Sequence, residues 1–159
     1  MKKKLISAVV ILCCAGLLIV FFSQMSVTKK AETRASTYYS ALMNRHYSEA
    51  FDCLYIYDDF EDVKSALTRE EAMQTYLKKA ERLESHGYKM VDFQVTNVDH
   101  EDFSNIRMFV EVTIETTDGK QEVFEEQLHY LNNKILIVSS EDPLYNYRNG
   151  KMNVTESLL

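Results

Sequence analysis

The sequence predicts an α+β protein in which helices come first and an antiparallel sheet follows. Apolar residues recur at helical spacing up to Gly87, and beyond it they occupy every second position. The pairs Asp118-Gly119 and Asn132-Asn133 stand between alternating segments, which is typical of hairpin turns. These observations predict N-terminal helices packed on a curved antiparallel sheet of about four strands.

Three helices are predicted before Gly87. The first carries apolar residues at Ala31, Ala35, Tyr38, Tyr39, Leu42 and Met43. A short second helix is capped by Ser48, and the third opens with a T-x-x-E capping box at Thr68–Glu71. The predicted strands are the segments around 91–95, 106–114, 120–131 and 134–140.

An apolar segment without charged residues, Leu5–Phe22, precedes these elements. It is long enough to cross the hydrocarbon core of a bilayer as a helix. Lipidation of Cys13 or Cys14 would require a small residue before the cysteine, and cleavage of a signal would require a small-x-small site after the run; neither pattern fits well. We therefore expect an uncleaved signal-anchor over residues 1–28, with the lipid bilayer as the partner of residues 5–27.

The charges around this segment predict its orientation. Three lysines precede it, and Lys29, Lys30 and Arg34 follow it, so the positive-inside rule only weakly favours an inside N-terminus. The signal-like order of charge and then apolar run favours it further. We expect a single-pass protein of the cell membrane whose residues after Thr28 are extracytoplasmic.

The chain from Ala31 onward is acidic, because 13 basic and 24 acidic residues give it a net charge of −11. Such a charge predicts repulsion from nucleic acid and from anionic lipid surfaces. Cys53 is the only cysteine in this part, so no internal disulfide can form. A bacterial envelope protein is therefore favoured over a small secreted eukaryotic domain.

Several features together resemble one protein family. They are the order of helices and strands over roughly 31–143, the stretch "YYSALMNRHYSEAFDCL" and the "T-x-DGK" hairpin. This combination resembles the NTF2-like superfamily, and within it the N-terminal domain of penicillin-binding proteins and small membrane-anchored relatives of Gram-positive bacteria. The resemblance implies a cone-shaped domain with a non-catalytic spacer and interaction role. The sequence contains no transpeptidase domain, so no penicillin-binding chemistry is implied.

The anchor and the range of the resemblance together predict two further segments of the chain. An NTF2-like domain is expected over 29–143. The final segment 144–159 is polar with isolated aromatic residues, and we expect it to be partly disordered.

A carboxylate on the apolar face of the sheet is the sharpest candidate for a site. Counting back from the two turns pairs Val110 with Glu126 and Glu126 with Ser139. A pocket between sheet and helices would then hold a ligand-binding set: Glu126, Ser139, Tyr130, Tyr38 and Met108. The alternative is that Glu126 lies hydrated at the open end of the cone or pairs with a lysine.

Other candidate groups are weaker. The four histidines show no metal-ligand spacing, and the acidic runs 58–62 and 99–102 are interpreted as solvated connectors. Cys53 is interpreted as a buried filler, and no cofactor or metal motif occurs.

Two functions follow from the sequence. The favoured one is a non-catalytic interaction or scaffold domain of the bacterial cell envelope, whose partner is another envelope protein. The alternative is a protein that binds a small apolar ligand, or an isomerase- or dehydratase-type enzyme that uses Glu126.

Overall fold

The computed structural model describes residues 27–58, 64–100 and 106–153, which form three helices packed on a four-stranded antiparallel open sheet. Helix α1 covers residues 27–43. The other elements are α2 (Tyr47–Cys53), α3 (Arg69–Ser85), β1 (Lys89–His100), β2 (Ile106–Glu115), β3 (Gln121–Leu131), β4 (Lys134–Ser140) and a 3₁₀ turn (Tyr145–Tyr147). The predicted class, α+β, is confirmed.

The predicted anchor falls on residues that the structure does not describe, except for residues 27 and 28 at the start of α1. Within the described ranges, no helix combines the length and the apolar character needed to cross a membrane.

The local sequence predicts the start of α3 correctly and the start of α2 incorrectly. The predicted capping box opens α3, since the Thr68 side chain accepts from the Glu71 backbone N–H and the Glu71 carboxylate accepts from the Thr68 backbone N–H. The predicted cap of α2 is wrong: this helix begins at Tyr47 after His46, without a side-chain cap, and Ser48 lies inside it.

The four strands form a simple meander in the order β1-β2-β3-β4. Gly119 takes a positive φ of 78° in the first hairpin, and the predicted pairing of Val110 with Glu126 is confirmed. The predicted pairing of Glu126 with Ser139 is wrong. Val138 is an extra residue in β4, and this bulge pairs Glu126 with Ser140 instead.

The core lies between the helices and one face of the sheet. Its residues without measurable exposure include Ala31, Ala35, Tyr38, Tyr39, Tyr76, Met108, Val110, Val112, Leu128 and Ile135. The first helix supplies two adjacent tyrosines to this layer, and their hydroxyl groups are among the polar atoms of the interior.

The chain after β4 returns to the core. Residues 144–153 pack against the helices, and the Met152 backbone N–H donates to the Tyr57 carbonyl at 2.7 Å. Gly150 is required there, because an added Cβ would lie 1.9 Å from the Tyr55 carbonyl oxygen. The rest of the predicted tail, 154–159, lies outside the described residues.

Candidate functional site

Glu126 is at the centre of a buried polar cluster. The alternation of β3 directs its side chain to the core face, where it is 0% exposed. The Tyr39 hydroxyl donates to one carboxylate oxygen and the Ser140 hydroxyl to the other, each at 2.6 Å. The guanidinium of Arg148 donates to both oxygens, so the carboxylate is bound on all sides by protein groups.

Arg148 joins this carboxylate to a second one. Its Nη2 lies 2.7 Å from an oxygen of Asp142, and its Nε donates to the Tyr88 hydroxyl at 2.8 Å. Its backbone carbonyl accepts from the Tyr38 hydroxyl at 2.7 Å. With 1% exposure, Arg148 therefore connects α1, the residue that precedes β1, β3 and the segment after β4.

The electrostatics of the cluster favour the charged form of Arg148. Burial alone would lower the pKa of Arg148, but the attraction of Glu126 and its hydrogen bond, together with smaller effects of Tyr88 and Tyr38, more than reverse this and raise the pKa well above its ordinary value. Burial, reinforced by Glu126, raises the pKa of Tyr39, and burial also raises the pKa of Tyr38. The two tyrosines therefore stay protonated and act as hydrogen-bond donors at neutral pH.

A second buried cation contacts the residues that follow Arg148 in the sequence. The ammonium group of Lys79, on α3, donates to the carbonyl oxygens of Asn149 and Lys151 at 2.9 Å and to the Asn149 side chain at 3.0 Å. Burial, with a smaller effect from the charge of Lys151, lowers the pKa of Lys79 to about 7. Three oxygen acceptors nevertheless match the three N–H bonds of an ammonium group.

The interior around Glu126 is filled by protein. A side chain that lines a cavity large enough for a water molecule keeps some accessible surface. No such cavity adjoins the described side chains around the carboxylate, because all of the following have 0% exposure: Glu126, Tyr38, Tyr39, Met108 and Val110. Substrate or solvent could reach this carboxylate only if the packing opened.

The structure brings together some of the predicted site residues and separates others. Tyr38 meets the cluster through the Arg148 carbonyl, and Met108 packs in the adjacent apolar layer. Tyr130 lies toward the other end of β3, where its hydroxyl donates to Asn133 at 2.7 Å. Ser139 is exposed, because the bulge places Ser140 next to Glu126.

Sequence reasoning missed the cation that pairs with Glu126. A buried carboxylate needs a positive partner, and the "YNYRNGK" stretch after the last strand supplies Arg148 and Lys151. The resemblance extends only to about residue 143, and the polar composition of the segment that follows predicts partial disorder. The charge requirement of Glu126 was the signal that could have found Arg148.

The clefts of the described surface include two of similar size. One, of about 400 Å³, has an apolar floor of Phe51, Leu54 and Ile56 near the start of α3. The other, of about 420 Å³, lies along the first turns of α1 and is lined by Lys29, Lys30, Thr33, Arg34, Thr37 and Asn133.

The other candidate residues that the structure describes make ordinary hydrogen bonds, ion pairs or packing contacts. Asp58 accepts from the Ser65 hydroxyl at 2.7 Å, and Asp99 lies 3.5 Å from Arg107. Burial raises the pKa of the Cys53 thiol, as expected for a packed residue. Across the described ranges, no three His, Cys, Asp or Glu side chains are arranged to hold a metal ion.

Compared with models of protein families and with curated protein sequences, the chain matches none of them.

Proposed function

We propose that this protein is a membrane-anchored, non-catalytic interaction domain of the bacterial cell envelope. Residues 1–28 are the anchor, the domain that follows is extracytoplasmic and NTF2-like, and its partner is another envelope protein. The observation that carries the non-catalytic part is the closed ionic cluster around Glu126.

The cluster leaves no free group for chemistry. A general base must present a lone pair within hydrogen-bond reach of a substrate proton. The carboxylate of Glu126 instead accepts from Tyr39, Ser140 and Arg148, and it is 0% exposed. This arrangement supports a stabilising role for the carboxylate rather than a reactive one.

The first test concerns topology. In a full-length chain with Cys13, Cys14 and Cys53 replaced by Ser, a single cysteine is introduced as Glu122→Cys at an exposed position of β3. A membrane-impermeant maleimide should label it in intact cells, whereas the matched variant Lys3→Cys should react only after lysis. The opposite labelling pattern would overturn the extracytoplasmic assignment.

The second test separates an interaction domain from a ligand carrier. The full-length protein is extracted gently from membranes, and its intact mass is measured. The proposal predicts protein with no bound small molecule other than membrane lipid. A reproducible ligand that is lost in Tyr39→Phe, but retained in Ser139→Ala, would favour an interior binding site.

The ligand-binding alternative has one observation in its favour, the apolar cleft near the start of α3. Its floor of Phe51, Leu54 and Ile56 is flanked by Lys64 and Lys134, which suits a ligand with an apolar body and an anionic end. A fluorescent fatty acid that binds the wild-type protein, and binds Leu54→Asp at least tenfold more weakly, would support this second function.

A further inference from the structure

We propose that the cleft along the first turns of α1 binds the phosphate group of anionic phospholipids. This inference rests on the proposed function, since the anchor is what brings the cleft to the membrane. It adds a specific lipid contact that residues 5–27 alone do not provide.

The lining of the cleft has the chemistry of an anion site. Three cations, two threonines and one asparagine line it, with no carboxylate: Lys29, Lys30, Arg34, Thr33, Thr37 and Asn133. The Thr37 hydroxyl donates to the Thr33 carbonyl, and the Arg34 guanidinium also contacts Cys53 Sγ at 3.9 Å, so the two lysines are the cations without another hydrogen-bond or ion-pair partner among the residues that the structure describes. Lys29 and Lys30 are exposed, so their ammonium groups are accessible from solvent. Guanidinium and ammonium groups are the usual protein partners of phosphate oxygens.

No carboxylate of the described structure lines this cleft, but two line the cleft that adjoins it. Glu32 and Glu49 belong to this adjoining cleft, which shares Lys29, Thr33 and Thr37 with the proposed site. Asp52, on α2, is paired with Arg69 at 2.5 Å. The lining of the proposed site is therefore basic although the part of the chain from Ala31 onward carries a net charge of −11.

The position of the cleft fits the headgroup layer. Thr28, the last residue of the predicted anchor, contacts His100 at 2.9 Å, and Asn133 comes from the turn between β3 and β4. The cleft is thus at the end of the domain that follows the anchor directly. The helical rise of about 1.5 Å per residue places Arg34 about 9 Å beyond Thr28, close to the thickness of a headgroup layer.

Acidic residues also occur near this end of the domain in sequence. Glu101 and Asp102 follow His100, outside the described residues, and their charge opposes an anion. The experiment therefore uses the full chain, in which these charges are present.

The test compares lipid binding by full-length variants in mild detergent. Intact-complex mass spectrometry measures retention of phosphatidylglycerol, with phosphatidylcholine and inorganic phosphate as separate probes. The variant K29Q/K30Q/R34Q should raise the dissociation constant for phosphatidylglycerol at least tenfold. The matched control K78Q/R82Q/K120Q removes the same number of cations from elsewhere and should change it less than twofold.

The outcomes separate this inference from the proposed function. Equal retention of the two lipids, or equal loss in both variants, would overturn the lipid site. Phosphate binding as tight as phosphatidylglycerol binding would assign the cleft to a free anion and also overturn it. Release of the wild-type chain from membranes by alkaline extraction would contradict the anchor, which a failed lipid preference alone would leave intact.

Discussion

At the scale of single residues, the buried polar cluster depends for its stability on one cation, Arg148. Arg148 contacts two carboxylates that are themselves almost fully buried, Glu126 at 0% and Asp142 at 2% exposure. Bringing ions out of water is costly, and only complete pairing offsets that cost. The side-chain hydroxyls of Tyr39, Tyr88 and Ser140 complete the pairing here.

Arg148→Met should therefore be severely destabilising. It leaves two buried carboxylates without their cation, and the expected loss is about 3–5 kcal/mol of unfolding free energy. Denaturant unfolding of the full-length protein measures it. The control Arg82→Met removes an exposed arginine on α3 and should cost less than about 0.5 kcal/mol. Equal stability of the two variants would contradict the central role of the cluster.

Lys79 gives the protein a predicted pH dependence. Its pKa is about 7 in the folded protein and about 10.4 in an unfolded chain. Between these values the unfolded state binds more protons, so the unfolding free energy contributed by this group rises with pH. The penalty for burying the charge is fully present below about pH 7 and disappears toward about pH 10.

The measurement compares unfolding of the wild type and Lys79→Met from about pH 7 to about pH 9, below the range where tyrosines titrate. Wild-type stability should rise relative to the variant by about 1 kcal/mol per pH unit. Lys78→Met, at an exposed neighbouring position, should track the wild type. Parallel profiles for all three proteins would show that Lys79 keeps its ordinary pKa, held by its three acceptors.

At the scale of elements, the sequence predicted the regular parts and not the irregular ones. The capping box at Thr68–Glu71 and the hairpin at Gly119 depend on neighbouring residues, so local patterns predicted both. The bulge at Val138 has no local signature, since "KILIVSS" contains neither glycine nor proline. The bulge brings the Ser140 hydroxyl to 2.6 Å from the Glu126 carboxylate, a contact between strands that the sequence of β4 alone does not reveal.

The bulge makes a prediction that distinguishes two adjacent serines. Ser140→Ala removes a hydrogen bond to a buried carboxylate and should cost about 1–3 kcal/mol. Ser139→Ala changes an exposed side chain and should cost less than about 0.5 kcal/mol. Denaturant unfolding of the two variants checks the register of β4. A larger loss in Ser139→Ala would restore the pairing predicted from the sequence.

At the scale of the whole molecule, the segment after β4 is a part of the fold. Lys79 holds Asn149 and Lys151, Arg148 enters the core, and Tyr57 forms an isolated bridge with Lys151. The polar composition of this segment predicts partial disorder, but several of its side chains are buried in the fold. Its polar residues are the partners of buried groups elsewhere, and such pairing is visible only in three dimensions.

Truncation tests this domain boundary. A chain that ends at residue 153 keeps every described contact and should unfold like the full-length protein, within about 0.5 kcal/mol. A chain that ends at residue 143 loses Arg148 and the acceptors of Lys79, and it should lose cooperative unfolding and become sensitive to protease. Cooperative unfolding of the shorter chain would place the boundary at residue 143, where the sequence predicts it.

The position of Arg148 along the chain also sets an order of events during synthesis. Every other member of the cluster, from Tyr38 to Asp142, is synthesised before it. Until residue 148 emerges, Glu126 has no cation and must remain hydrated, so the helices cannot close over the sheet. The residue that completes the pairing of Glu126 is therefore the last member of the cluster to be synthesised, and the helices close over the sheet only after that point.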